Sequence, residues 1–458
     1  MVFSNLIFLY VFLPIFFICY FLFNKNIVLC VFSFIFYAWG EPSYIFLLII
    51  SVFLNYIFGI KIEDSKDNKK TYLILAVAIN LLILIIFKYA NFLTGLIFTG
   101  INKNLVTNIK LPIGISFYTF QAISYIVDVY RGTTLAQRKF RNLFLYISMF
   151  PQLIAGPIVR YKTIEKEILD RRIDIDSILY GIYRFTFGLG KKVIIANQLS
   201  LVVDKLLNGN LYEMSKVGLI IGVIVFILQL YFDFSGYSDM AIGLGSIIGF
   251  HFEENFNFPF ASNSMTEFWR RWHMSLGSFF RDYVYIPLGG NRKNQVRNIL
   301  IVWFLTGVWH GASLNFVLWG GFLAVFIVIE KYVLKDILEK IPIVLNKIYF
   351  VLITYLSFSI FYFDDVRRLK EYFISILSNG NIIDLYTRNT ILNNIFLIII
   401  AIFFALPVST KINDLLGKII KYKTPLTIVR LCIFLVIIIY STILLVGNTS
   451  NPFLYFRF

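Results

Sequence analysis

Apolar runs long enough to cross a lipid bilayer recur along nearly the whole chain, and this feature limits what it can fold into. A helix needs about 20 apolar residues to traverse about 30 Å of hydrocarbon. Runs that meet or approach that length cover 5–23, 27–39, 44–60, 72–98, 113–130, 217–230 with its continuation, 314–333, 348–363, 391–406 and 431–446. The stretches 177–203, interrupted by Lys191 and Lys192, and 299–309, which is short, are ambiguous. Backbone polar groups in hydrocarbon must be satisfied within the protein, so such runs read as helices. The expectation is an all-α integral membrane protein of about eleven transmembrane helices, give or take two, forming a single polytopic domain over residues 1–458. Only 15% of the residues are charged, whereas a water-soluble domain usually carries about a quarter. The first run has no basic residue ahead of it and no small-residue cleavage pattern after it, so it reads as a span and not as a cleaved leader.

The 42 Lys+Arg against 26 Asp+Glu leave a formal charge of +16, which in a soluble protein would raise the question of nucleic acid. Here the cations sit in short segments between apolar runs, as the positive-inside rule and anionic lipid headgroups require. No basic stripe or nucleic-acid motif accompanies them, so nucleic-acid binding is excluded and membrane lipid is the expected partner. Cys19, Cys30 and Cys432 lie in apolar runs without C-x-x-C spacing, which leaves a cysteine-ligated metal site without support.

Loop charge sets the orientation. Lys61, Lys66, Lys69 and Lys70 mark 61–71 as cytoplasmic against 101–110, which carries only Lys103 and Lys110. Counting back puts the N-terminus outside, and counting forward puts Arg131, Arg138, Lys139 and Arg141 inside. Arg160, Lys162, Lys166, Arg171 and Arg172 follow too soon for a full crossing to keep them inside. Residues 142–158, broken by Pro151 and Gly156-Pro157, are therefore expected to form a re-entrant hairpin, tolerated only where protein or water covers it. The basic stretch 411–430 is also expected inside, leaving the C-terminus outside.

The chemistry is expected in the core segment, about 229–321, where the composition departs from lipid-facing helix. Asp233, Tyr237 and Asp239 interrupt an apolar run, and ionisable groups at bilayer depth face protein or a wet cavity. They fit either a helix-packing polar network or a functional cavity. The two carboxylates, six residues apart, fall near opposite helix faces, which argues against a paired acid/base site. Residues 270–297 carry Arg270, Arg271, Arg281, Arg292, Lys293 and Arg297 against Asp282 alone, on helices too charged to cross lipid and too aromatic for a free loop. These fit an anion dock or interfacial Trp/Arg anchoring equally well. The chain has three histidines, His251, His273 and His310. His310, at the end of an apolar run, reads either as a hydrogen-bonded structural residue or as a general base, since imidazole exchanges protons near neutral pH. Its flanking glycines are expected to admit an acyl chain closely. No G-x-S-x-G elbow or P-loop is present, and the histidines are weak metal ligands without Cys or HExxH beside them.

The words FDFSGYSDMAIGLGSIIGFHFEENFNFPF, MTEFWRRWHMSLGSFFRDYVYIPLGGNR and GVWHGASLNFVLWG, supported by LPIGISFYTFQAISYIVDVYRG, FPQLIAGPIVRY and NPFLYFRF, resemble the membrane-bound O-acyltransferase family, specifically its bacterial alginate O-acetyltransferase branch. The resemblance implies a helical ring around a central tunnel open to both faces, with re-entrant and interfacial helices. It implies acyl transfer, with the family's essential histidine at His310 and the second polar position, 37 residues earlier, at His273. His310 would take the acceptor's hydroxyl proton, and His273 would orient the donor or stabilise the oxyanion. Asp233, Tyr237, Asp239, Glu267, Trp269, Arg270, Arg271, Arg281, Asp282 and Trp309 lie in matched words and would shape the tunnel and dock the donor. The donor implied is an acyl thioester, acetyl-CoA or similar, with no bound cofactor and no metal. The implied acceptor is an exported or cell-wall polysaccharide, with an extracytoplasmic acetyltransferase partner and a bacterial plasma-membrane location. D-alanyl transfer to teichoic acid from a carrier-protein thioester is the alternative within the family, and a transporter or flippase the alternative outside it.

Overall fold

Every regular element among the described residues is a helix, as backbone self-satisfaction in lipid demands. A computed structural model describes residues 2–98, 109–154, 156–378, 380–408 and 423–447. The chain forms two compact units, Met1–Phe185 with Ser238–Glu254, and Thr186–Tyr237 with Asn255–Phe458.

The first unit holds α1 (Leu13–Leu22), α2 (Lys25–Gly40), α3 (Ile45–Asp64), α4 (Lys69–Phe98), α5 (Ile115–Tyr130), α6 (Phe140–Ser148), α7 (Phe150–Leu153), α8 (Tyr161–Leu169) and the start of α9 (Ile175–Gly190). In α3, Phe46, Ile50 and Phe53 are exposed while Leu48, Val52 and Asn55 are buried, a lipid face and a protein face on one helix. Asn55 and Asn80 tie α3 to α4 by reciprocal amide hydrogen bonds of 3.0 and 2.8 Å, polar glue between helices that lipid would not otherwise drive together. The Arg138 guanidinium pairs with Glu63 at 2.7 Å and Asp64 at 2.6 Å, so the basic segments 61–71 and 131–141 share one end of this unit, as the loop parity requires.

The expected re-entrant hairpin is present. Helix α6 has nine residues, about 14 Å of rise against about 30 Å of hydrocarbon. The chain then turns back: Tyr146 Oη donates to the Val159 carbonyl at 3.0 Å, and Gln137 Nε2 donates to Tyr161 Oη at 2.6 Å. Thr134 Oγ1 donates to Glu165 at 2.8 Å, which returns the second basic cluster to the side of the first. At the tip, Phe150 packs among Phe8, Phe12, Phe16 and Phe36 with ring centroids 5.0 to 6.3 Å apart, providing the protein cover that irregular backbone at depth needs. Gly114 holds φ +75°, and a Cβ there would meet the Leu153 carbonyl.

The second unit takes in the end of α9, then α10 (Asn197–Leu207), α11 (Lys216–Ile247) up to Tyr237, α12 (Met265–Arg271), α13 (Met274–Phe280), α14 (Gln295–His310), α15 (Leu314–Ile329), α16 (Lys335–Lys340), α17 (Ile343–Tyr362), α18 (Val366–Ser378), α19 (Leu385–Ala405) and α20 (Lys423–Gly447). Helix α11 runs 32 residues straight through the FDFSGYSDM word, and 78% of its most apolar window is buried, against 17–39% in the other long spans. It is an interior helix, which is why it tolerates carboxylates. Six described helices are long and apolar enough to cross a membrane, and Phe8–Leu22, Lys25–Gly40 and Leu431–Gly447 are shorter apolar helices. Helix α5, expected as a span, is buried on nearly every face. The readings that rest on residues 99–108, 409–422 and 448–458 fall outside the described residues.

Candidate active site

Helices α14 and α15 form the hairpin that positions His310. They meet at Gly307 and Gly320, where a Cβ on either would run into the other helix's backbone, at Phe316 O and Trp303 O. Gly311 presses against the Phe316 ring. The glycines flanking His310, expected to admit substrate, therefore admit α15 instead. His310 is 5% exposed, and its ring lies edge-on to Trp319 at 4.9 Å and to Phe361 at 5.3 Å. Trp319 is itself pinned by its indole N–H donating to Ser357 Oγ at 3.0 Å.

The second histidine is carried by the bend between α12 and α13. Helix α12 starts with a side-chain cap: Ser264 Oγ accepts from the Glu267 N–H at 3.1 Å, and the Glu267 carboxylate accepts from the N–H of Asn263, the residue before the cap, at 2.9 Å. Glu330, 4% exposed, reaches the same helix end and accepts from the Met265 N–H at 2.6 Å, the Thr266 N–H at 2.8 Å and the Thr266 hydroxyl at 2.5 Å. Lys347 donates to the Ala261 and Ser262 carbonyls, both at 2.6 Å. Two charged side chains from α17 and the segment after α15 thus clamp the approach to α12. At its far end His273 adopts φ +46°, ψ +54°, a left-handed conformation that disfavours any residue with a Cβ by about 1–2 kcal/mol. Its ring packs on Phe234 at 4.6 Å, and burial pushes the imidazole pKa down to about 3, so it is neutral at physiological pH.

His273 and His310 line one pocket of about 180 Å³. Trp269, Trp303 and Phe280 supply aromatic walls, and Arg281, its side chain 62% exposed and paired with Asp282, stands on the lining. That volume is well under the roughly 300–1,000 Å³ of pockets that engulf drug-sized ligands, so it suits a small group rather than a whole donor.

The other sequence candidates are placed differently. Of the expected substrate-binding residues, Trp269 and Arg281 line this pocket, and Asp233, Tyr237, Asp239, Glu267, Arg270, Arg271, Asp282 and Trp309 are not on its lining. Asp233 pairs with Lys192 at 2.5 Å, both about fully buried, and within the first unit Asp239 pairs with Arg184 at 2.7 Å. These carboxylates belong to the helix-packing network. Glu267 also pairs with Arg271 at 2.9 Å and Arg281 with Asp282 at 2.6 Å; Arg270 is exposed and Tyr237 is buried. Trp309 touches both histidines, tilted against His273 at a ring-centroid distance of 5.9 Å and edge-on to His310 at 4.9 Å. Sequence reasoning assigned no role to Lys192, Asn255 or Glu330; a lone carboxylate at the end of an apolar run was the available signal for Glu330. Lys192→Met should destabilise the protein by about 3–5 kcal/mol because it removes the buried cation paired with the Asp233 carboxylate. Adding Asp233→Leu should restore most of that loss in thermal unfolding in detergent, and an equally unstable double variant would contradict the pairing.

Residues 137–363 match the model of MBOAT, the membrane-bound O-acyltransferase family. A probable alginate O-acetylase of Pseudomonas syringae pv. tomato is 43% identical over 347 residues, 73% of this chain and 67% of the relative. The peptidoglycan O-acetyltransferase of Helicobacter pylori is 34% identical over 361 residues, 70% of this chain and 68% of the relative. The teichoic acid D-alanyltransferase of Bacillus subtilis is 31% identical over 235 residues, 46% of this chain and 57% of the relative.

Proposed function

The chain belongs to the membrane-bound O-acyltransferase family, in the branch of the alginate O-acetylases, and from that premise we propose that it passes an acetyl group from a cytoplasmic thioester donor toward an exported or cell-wall polysaccharide. The observation that carries this reading is the pocket itself: two buried histidines with aromatic walls around a space fit for a short acyl group.

In the proposed reaction His310 takes the proton of an acceptor hydroxyl as that oxygen bonds to the thioester carbonyl carbon. The carbon–sulfur bond breaks as the tetrahedral intermediate collapses, and the imidazolium returns the proton to the leaving thiolate. Arg281, exposed and paired with Asp282, can exchange that carboxylate for an anionic donor such as acetyl-CoA, and an extracytoplasmic acetyltransferase completes transfer to the polymer. We place the protein in a bacterial plasma membrane with the segments 61–71 and 131–141 cytoplasmic and both termini outside, following loop charge.

Purified protein in nanodiscs, given labelled acetyl thioester and hydroxyl acceptor, should transfer acetyl, and cells carrying the gene should yield acetylated polymer by mass analysis. Alanyl groups on the polymer would favour the D-alanyl reading that the teichoic acid relative raises. Absence of any acyl transfer would overturn both. If the aromatic wall sets acyl size, Trp303→Ala should raise the preference for butyryl over acetyl donors by about ten-fold or more. An unchanged ratio of kcat/KM values would remove that role from Trp303.

A further inference from the structure

Asn255 is fully buried in the second unit and its side-chain oxygen is a point of convergence. The Ser275 backbone N–H approaches Asn255 Oδ1 at 3.3 Å, the Ser275 hydroxyl at 2.9 Å, and His273 Nδ1 at 3.1 Å. A backbone N–H only donates, so the atom it meets is the amide's acceptor oxygen, not its nitrogen. His273 Nδ1 must then carry the ring proton and donate it, which leaves Nε2 with the lone pair. The segment is held in register independently of these side chains: the Met274 N–H donates to the Asn255 carbonyl at 2.9 Å, and the Asn257 N–H donates to the Arg271 carbonyl, also at 2.9 Å. The left-handed backbone at His273 belongs to the same arrangement, and strain of this kind persists where the surroundings over-determine a conformation.

We propose that Asn255 is a positioning residue that locks His273 in its Nδ1–H tautomer, so that Nε2 accepts a hydrogen bond from a second hydroxyl of the acceptor, beside the one that His310 deprotonates. The proposal rests on the acyltransferase reading and reassigns His273 within it. A neutral ring whose proton points at Asn255 has no N–H left to stabilise an oxyanion. It has an acceptor, which suits a neighbouring hydroxyl and leaves the attacking hydroxyl's single proton to His310. His310 and His273 then divide the work, one moving the proton and the other holding the acceptor so that its attacking oxygen is aimed. No bond is made or broken at His273.

The test uses full-length protein labelled with [15N]histidine in nanodiscs, with His273→Gln identifying the His273 resonances among the three histidines. Wild type should show the protonated nitrogen at Nδ1, and Asn255→Leu should lose that preference. In the same variant, kcat/KM for the acceptor should fall by about 10- to 100-fold, the scale seen when an orienting partner of a functional histidine is removed, while the donor KM stays put. Asn255→Asp keeps an oxygen acceptor and should retain both the Nδ1–H signal and most activity, which guards against a leucine variant that fails to fold. Ser275→Ala removes a neighbouring hydrogen bond without touching the ring and should stay near wild type. An Nε2–H tautomer in wild type, or an Asn255→Leu variant active as wild type, would overturn the proposal. So would a Ser275→Ala variant as impaired as Asn255→Leu, since the cluster would then be merely structural. The spectrum needs no acyl donor, so loss of the functional reading and loss of the tautomer are separate results.

Discussion

Replacing His310 with glutamine is expected to reduce acyl transfer by about 10²–10⁴-fold while leaving the protein folded and inserted, because glutamine fills the ring's space but takes no proton. Its surroundings explain why folding should survive. The hairpin that carries the residue is held by the Gly307–Gly320 crossing and by Trp319 on Ser357, none of which uses the imidazole. The measurement is acetyl transfer by purified variant and wild type at matched concentration, with size-exclusion profiles as the folding control. A variant that keeps its profile and transfers acetyl at the wild-type rate would end the general-base assignment.

Glu330→Ala should act through structure and just as strongly. It leaves the buried Met265 N–H and the part-buried Thr266 N–H without their acceptor at the start of α12. At about 1–3 kcal/mol for each stranded donor, the loss is roughly 2–6 kcal/mol, a large share of a marginal stability. Since α12 leads directly into His273, the same variant should lose activity before it loses fold. Glu330→Gln keeps one of the two carboxylate oxygens and should fall between. Thermal unfolding in detergent read beside acetyl transfer separates the two effects, and an alanine variant with wild-type melting would show that the clamp is dispensable.

Much of the architecture was legible in the residues. Span-length apolar runs announced helices, and the short interval between basic clusters required the re-entrant hairpin that Tyr146 and Gln137 close. Both histidines were singled out, one for its proton chemistry and one through resemblance, and the pocket brings them together. The substrate-binding set was less legible. Asp233 and Asp239 looked like site carboxylates because charge at depth is rare, yet each is answered by a cation from the chain around α9. The glycines beside His310 looked like room for substrate and serve instead as the seat of α15.

The division has a physical cause. Helix formation in lipid depends on length and on the hydrogen bonds a segment makes with itself, so composition along the chain was enough to establish a helical membrane protein and its turning points. The partner of a buried polar group is chosen among residues far away in sequence, by which helix faces meet. Only the tertiary structure could set Lys192 against Asp233, bring Glu330 to the start of α12, and put Asn255 on the ring of His273.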